Sequence, residues 1–401
     1  MNKRRKQKKT KSEKKKSKFK LGKLLFFLVI ISILGYGIYS YTVFSNIKSI
    51  NPLSSSNADY YLLSHRKDAL EKTLIVFEEY YNEQEVIQSA YIYAVNKEKS
   101  KAVLIYIPGR IEYTGVDKDF GSGITVSTFK YAGEFIQEGK GFEYAIWQFQ
   151  QMLGTNIDNY IWFNAETMQL FEEKLGQPLS GQMYAQYFSN GFELPEEVFF
   201  LNSFCSRLSW INLLLSSPEL QDSNSTVYSS FSTFLSSIEK LRDIYRSTLH
   251  VRPYVIDFSQ SEYVTIMESA SGVGLSSQID ISAFDSVWRD FVDSMIDRNL
   301  EKERVRVEVY NGSGLSGYAS QYARKIRNSG LEVVRYDNAP DLVERTQFYV
   351  PYPKEYKNSM EVIREIFPGG YDIVQGRPQF MTTGDIVIIL GKDIPTVYSF
   401  Q

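Results

Sequence analysis

Residues 305–338 read VRVEVYNGSGLSGYASQYARKIRNSGLEVVRYDN. Val305–Tyr310 alternates apolar and polar residues as a half-buried strand does. Asn311-Gly312-Ser313-Gly314 is a turn, because Asn and Gly tolerate dihedrals that other residues avoid. Ser316–Asn328 then carries Tyr318, Ala319, Tyr322, Ala323 and Ile326 at helical spacing, Gly330 closes the helix, and Leu331–Tyr336 returns to strand. A strand, a crossover helix and a second strand make a βαβ unit, and the rest of the chain is read outward from it.

Downstream, strand Thr346–Pro351, helix Asn358–Phe367, a short strand Tyr371–Val374 and strand Asp385–Leu390 before Gly391-Lys392-Asp393 extend the pattern. The order β-α-β-β-α-β, with one extra edge strand, predicts a small split-βαβ sandwich whose helices cover one sheet face through Tyr318, Tyr322, Ile326, Val362, Ile363 and Ile366. The NGSG turn could present backbone N–H groups to an anion. It lacks a P-loop Lys and dinucleotide spacing, so a tight strand-to-helix turn is the expectation.

This stretch closely resembles the LytR C-terminal domain. The residues that carry the likeness are Val307 to Gly314, Gly317, Ala319, Gly330 before Leu331-Glu332-Val333, Asn338-Ala339, Thr346, and Asp385 to Asp393. The resemblance implies a cell-envelope protein and points to a catalytic LytR-CpsA-Psr (LCP) domain in front of it.

At the other end, Leu24–Phe44 (LLFFLVIISILGYGIYSYTVF) is 21 residues without a charge, enough to cross a bilayer as a helix. Residues 1–23 hold thirteen Lys or Arg against the single acid Glu13. The positive-inside bias places that tail in the cytoplasm and the rest outside, so the expectation is a single-pass cell-membrane protein with membrane lipid as a partner. A cleaved signal is the competing reading. The apolar run is too long for one, and Tyr36, Tyr39 and Tyr41 stand where a small-residue cleavage site belongs. A regulator signalling through the basic tail is a third class.

The remaining residues carry 32 basic and 46 acidic side chains. That acidic balance argues against nucleic acid as a partner of the outer part. One cysteine, Cys205, excludes an internal disulfide, and two histidines, His65 and His250, make no recognisable metal or triad spacing.

After a polar linker, 45–59, come β-like runs at Thr73–Phe77, Ser89–Val95 and Ala102–Ile107, the last two joined by a charged turn at 96–100. Helical periodicity runs through 129–153, broken at Gly139-Lys140-Gly141. A strand follows at 157–163 and a helix at Ala165–Leu175. Val227–Leu249 reads as an amphipathic helix, Val251–Val264 as short strands, and Ser282 opens a helix carrying Trp288 and Met295.

The order of a hairpin ending in Ile107-Pro108, a glycine-bearing loop, a helix ending in Leu153-Gly154, then Ile157, Asp158 and Tyr160, and a helix ending in Leu175-Gly176 resembles the LCP domain over roughly residues 70–215. Members of that family move glycopolymers from a polyprenyl-pyrophosphate carrier to the cell wall. The resemblance implies a polyprenyl-linked glycan or cell-wall polymer as partner. The family turn is Ile-Pro-Arg-Asp, with the arginine on the pyrophosphate and the aspartate supporting metal-assisted chemistry. Here the turn is Ile107-Pro108-Gly109-Arg110 followed by Ile111. Of the family's later arginines only Arg207 remains.

A pyrophosphate needs several charge-assisted donors, so Arg110 and Arg207 are its binding candidates but fall short of the full set. Asp117 and Asp119 are the carboxylates that could replace a metal-binding acid. The balance points to a non-catalytic binding or scaffold protein with no cofactor. The alternative is an active transferase with a rearranged site, which alone would call for Mg²⁺.

The expected architecture is α/β (α+β): one N-terminal transmembrane helix, a central mixed-sheet α/β/α domain resembling LCP, and the C-terminal sandwich. The expected bounds are 1–23 cytoplasmic tail, 24–44 span, 45–59 linker, 60–300 central domain and 304–395 C-terminal domain.

Overall fold

The computed structural model describes residues 3–49, 70–113, 124–175, 227–251, 253–268, 274–296, 298–367 and 371–394. The first element is one helix, α1 (Lys3–Ser49), which takes in both the basic run and the apolar run. Within it Leu21–Thr42 is the one segment, among the described residues, long and apolar enough to cross a membrane, and the described residues leave it unburied. Residues 45–49, expected as linker, continue the helix, and residues 50–69 lie outside those described.

The central domain is built on three long antiparallel strands, β1 (Leu70–Tyr81), β2 (Gln84–Asn96) and β3 (Lys101–Pro108). They extend beyond the apolar runs in the sequence because ladder hydrogen bonds continue into the charged ends. The β1–β2 turn places Asn82 and Glu83 at φ 48° and 66°. Those two positive values are what a two-residue hairpin turn matching strand twist requires. β6 (Asn159–Phe163), β7 (Val227–Ser229) and β8 (Tyr254–Asp257) complete a six-stranded sheet in the order β7-β6-β1-β2-β3-β8. β1, β3, β6 and β8 all point the same way.

Both faces of this sheet are covered, which is why its strands are apolar almost without alternation. One face packs Leu74, Ile92, Ile105 and Trp162 against α2 (Phe129–Ile136), α3 (Gly141–Leu153) and α6 (Ile281–Met295). The other packs Ile75, Tyr91, Leu104 and Phe163 against α4 (Ala165–Leu175) and α5 (Phe234–His250). The break between α2 and α3 falls at Gly139–Lys140, as the sequence suggests. α5 begins later than its periodicity implies. Val227–Ser229 pairs with β6, and the Thr233 hydroxyl caps the helix by accepting from the Ser236 N–H at 3.0 Å. α6 starts at Ile281, one residue before the expected Ser282, because the Asp280 carboxylate caps it by accepting from Ala283 N–H at 2.9 Å.

A smaller sheet, β5-β4-β10-β9, joins β4 (Ile111–Tyr113) and β5 (Ile124–Thr125) to the ribbon of β9 (Val264–Glu268) and β10 (Leu275–Ile279).

After α7 (Arg298–Glu303) the C-terminal module runs β11 (Arg306–Asn311), α8 (Tyr318–Asn328), β12 (Glu332–Asn338), β13 (Thr346–Tyr349), α9 (Lys357–Ile366), β14 (Tyr371–Val374) and β15 (Ile386–Leu390). Its sheet order is β12-β11-β15-β13-β14, with β13 antiparallel to β15. Tyr318, Tyr322, Ile326, Val362, Ile363 and Ile366 cover one face, as their spacing predicts. Three backbone donors in and just after the NGSG turn are taken up within the module. Gly312 N–H donates to Leu390 O at 2.9 Å, Ser313 N–H to Asn311 Oδ1 at 3.1 Å, and Leu315 N–H to Ser313 Oγ at 3.1 Å. The turn reading therefore holds over the anion reading.

Candidate functional site

In open α/β sheets ligands sit outside the carboxyl ends of the parallel strands. At that end β1 delivers Glu78, β3 runs into Pro108-Gly109-Arg110, β6 into Asn164 and β8 into Asp257. The register of Phe77 with Ser89, and Ser89 with Pro108, puts the first two at one level. Asn164 and Asp257 are structural. The Asn164 oxygen accepts from Thr167 N–H at 3.0 Å, and Asp257 accepts from Ser259 N–H at 2.7 Å.

Gly109 is wedged into the sheet edge. Its N–H donates to Gln88 O at 2.9 Å, and its carbonyl accepts from Ser127 N–H at 2.8 Å. A Cβ there would stand 2.3 Å from Ile87 O. This position, which the LCP resemblance assigns to an arginine, has no room for a side chain. Arg110, one residue on, is exposed and forms no ion pair or side-chain hydrogen bond among the described residues.

Beside this turn lies a charge cluster that sequence inspection missed. A β-bulge follows Phe77, and Glu78 is buried with 1% exposure. Lys130, in the first turn of α2, donates to Glu78 Oε1 at 3.0 Å and Oε2 at 3.2 Å, and to Glu85 Oε2 at 2.8 Å. Burial pushes the Glu78 carboxyl above its ordinary range, with Lys130 opposing and Glu85 adding to the rise. Burial lowers the Lys130 amine, but the two carboxylates outweigh it and the net shift is upward. No local signal marks this cluster, because its members are 45 and 52 residues apart. Thr125, Ser127 and Thr128 hydroxyls line the entry to α2, with Thr125 2.8 Å from Ser127. Tyr131 and Phe135, one turn apart on α2, are 64% and 80% exposed.

The Lys130 ammonium occupies the place between Glu78 and Glu85 that a divalent cation would need, so this donor set does not fit Mg²⁺. Among the described residues no three His, Cys, Asp or Glu side chains converge as metal ligands. Arg207, Asp117 and Asp119 lie outside the described residues, as does Cys205.

Fold and site together define a two-domain α/β protein behind a long apolar helix, with one exposed arginine at the strand ends and no converged arginine set among the described residues. Residues 304–393 match the family model of the LytR cell envelope-related transcriptional attenuator, so the C-terminal module is a LytR C-terminal domain. No curated protein matches the chain. Among solved structures, TagU of B. subtilis aligns at 12% identity and a TM-score of 0.34, over 57% of this chain and 98% of that one. TagV of B. subtilis aligns at 12% identity and 0.38, over 55% and 95%. TagT bound to LI-WTA aligns at 10% identity and 0.37, over 61% and 99%.

Proposed function

We propose that this protein is a membrane-anchored component of cell-wall or surface-glycopolymer assembly that binds its glycan without transferring it. Leu21–Thr42 serves as the anchor, with the basic tail in the cytoplasm and both domains outside. The LytR C-terminal domain supports the envelope assignment. The Gly109 turn carries the non-catalytic half: the position that would hold a pyrophosphate arginine is closed by Ile87 O at 2.3 Å. Charge-assisted bidentate donors are what a pyrophosphate needs in order to be held for reaction, and Arg110 by itself supplies one.

The test uses full-length protein in detergent with labelled polyprenyl-pyrophosphate-linked glycan and Mg²⁺. The expected result is binding that Arg110→Ala weakens several-fold, with no transfer. Robust transfer that is lost in Arg110→Ala would overturn the non-catalytic reading in favour of a rearranged transferase. Absence of any glycan binding would overturn the ligand assignment.

A further inference from the structure

The C-terminal module does not hang from the central domain on a tether. Its helix α8 completes the end of α3. The last carbonyls of a helix lack intrahelical donors and must find partners elsewhere. Here Arg324 donates to Gln151 O at 3.0 Å and to Met152 O at 3.1 Å, and Asn328 donates to Leu153 O at 3.3 Å. Both cations and amide donors suit the negative end of the helix dipole.

The same two side chains meet Asp285 on α6. Arg324 Nε lies 2.8 Å from Asp285 Oδ2, its second nitrogen 2.8 Å from Oδ1, and Asn328 Nδ2 3.0 Å from Oδ1. The Trp288 indole donates to Asn328 O at 3.0 Å. Two glycines make the approach possible. A Cβ on Gly154 would fall 2.9 Å from the Arg324 guanidinium, and one on Gly330 2.2 Å from Ile296 Cδ1.

Lys325 is the discordant member. It is buried, and its amine reaches across to α3, where the Gln151 amide, once turned so that its oxygen faces them, accepts from Lys325 Nζ at 2.9 Å and from the Trp147 indole at 2.8 Å. It lies 5.5 Å from the Tyr322 ring centre. Arg324 stands next to it on α8. The acid facing this junction, Asp285 on α6, is already shared by Arg324 and Arg289. Tyr113 on β4 and Tyr322 are phenols raised by burial, with Asp393 adding to the rise at Tyr322, and the Asp393 carboxylate accepts from Thr346 N–H at 2.8 Å and Oγ1 at 2.7 Å. No carboxylate therefore pairs with Lys325 among the described residues.

We infer that the C-terminal domain is a clamp on the end of α3, latched by Asp285, Arg324 and Asn328, and that acid loosens the clamp through Lys325. Burial, with Arg324 acting the same way, pushes the Lys325 amine down to about 7. Below that pH the amine is charged whether docked or free, and docking is weakest. Between about 7 and the ordinary 10.5 the docked amine is neutral while a freed one binds a proton, so each rise in pH strengthens docking.

The test is an interdomain distance measurement by double electron–electron resonance on full-length protein in detergent. Nitroxides sit at the exposed Glu138→Cys and Glu355→Cys in a Cys205→Ser background, and urea is titrated at pH 6 and pH 9. The narrow docked distance is expected to survive to higher urea at pH 9, by up to about 90-fold in the docking constant. The shift counts equally whether undocking precedes unfolding or accompanies it. Lys325→Met should abolish the pH shift. Asp285→Asn should lower the urea midpoint at both pH values and leave the shift in place. A wild-type midpoint equal at both pH values, or a shift that persists in Lys325→Met, would overturn the acid sensitivity. An unchanged midpoint in Asp285→Asn would overturn the latch. If that variant fails to fold, Arg324→Met takes its place with the same criterion.

Discussion

Lys130→Met isolates the electrostatics of the candidate site. The substitution keeps most of the side-chain volume but leaves Glu78, 1% exposed, and Glu85 facing each other without a cation. Breaking a buried pair by removing one partner ordinarily costs about 3–5 kcal/mol. Here a ceiling applies, because Glu78 can take up a proton instead of staying charged. Neutralising a carboxyl of ordinary value 4.5 at pH 7 costs about 3.4 kcal/mol, at about 1.4 kcal/mol per pH unit.

The expected loss is therefore about 2–3 kcal/mol at pH 7 and below about 1 kcal/mol at pH 5. A group whose folded value is raised destabilises above its unfolded value, and the penalty fades as pH falls. Urea unfolding followed by circular dichroism at the two pH values measures it. Adding Glu78→Gln to Lys130→Met should restore most of the stability at pH 7. A loss that is the same at pH 5 and pH 7, or a double variant no better than the single one, refutes the ion-pair account.

Two further perturbations test the neighbouring claims. Gly109→Arg, which recreates the family-like turn, must push a Cβ into Ile87 O at 2.3 Å. It should cost about 1–3 kcal/mol in thermal unfolding and confer no transferase activity. In the C-terminal module, Glu308 accepts from Thr383 N–H at 2.9 Å, Thr383 Oγ1 at 2.8 Å, Gly384 N–H at 2.9 Å and the Tyr310 hydroxyl at 2.8 Å. Although burial works against it, these bonds hold its carboxyl below the usual range. That stability is present above about 4.5 and is lost as pH falls through the lowered value. Glu308→Gln should therefore flatten the acid limb of the stability curve without moving its neutral plateau upward.

The C-terminal domain was legible almost to the residue. Its helices carry Tyr318, Tyr322 and Ile326 or Val362, Ile363 and Ile366 at regular spacing, and Gly330 marks a turn at φ 89°. The antiparallel hairpin of β2 and β3 was legible from its charged turn at 96–100. Boundaries slipped where side-chain caps override periodicity, at Thr233 and Asp280. The candidate site was legible only at Arg110. Glu78 closes an apolar run and looks like a strand end, and nothing in its surroundings announces Lys130.

By itself, then, the sequence determined a long apolar helix behind a basic tail, a sheet buried on both faces, and a split-βαβ module of the LytR C-terminal type. Each of these depends on residue type repeated at a local period. Only the tertiary structure decided that Gly109 has no space for a side chain, that Glu78 and Glu85 share Lys130, and that Arg324 finishes a helix by binding the Gln151 carbonyl 173 residues earlier. Those facts depend on which backbone carbonyls and carboxylates arrive at the same point in space. A local period carries no information about that, because the contacts form between elements whose separation in the chain is set by the fold.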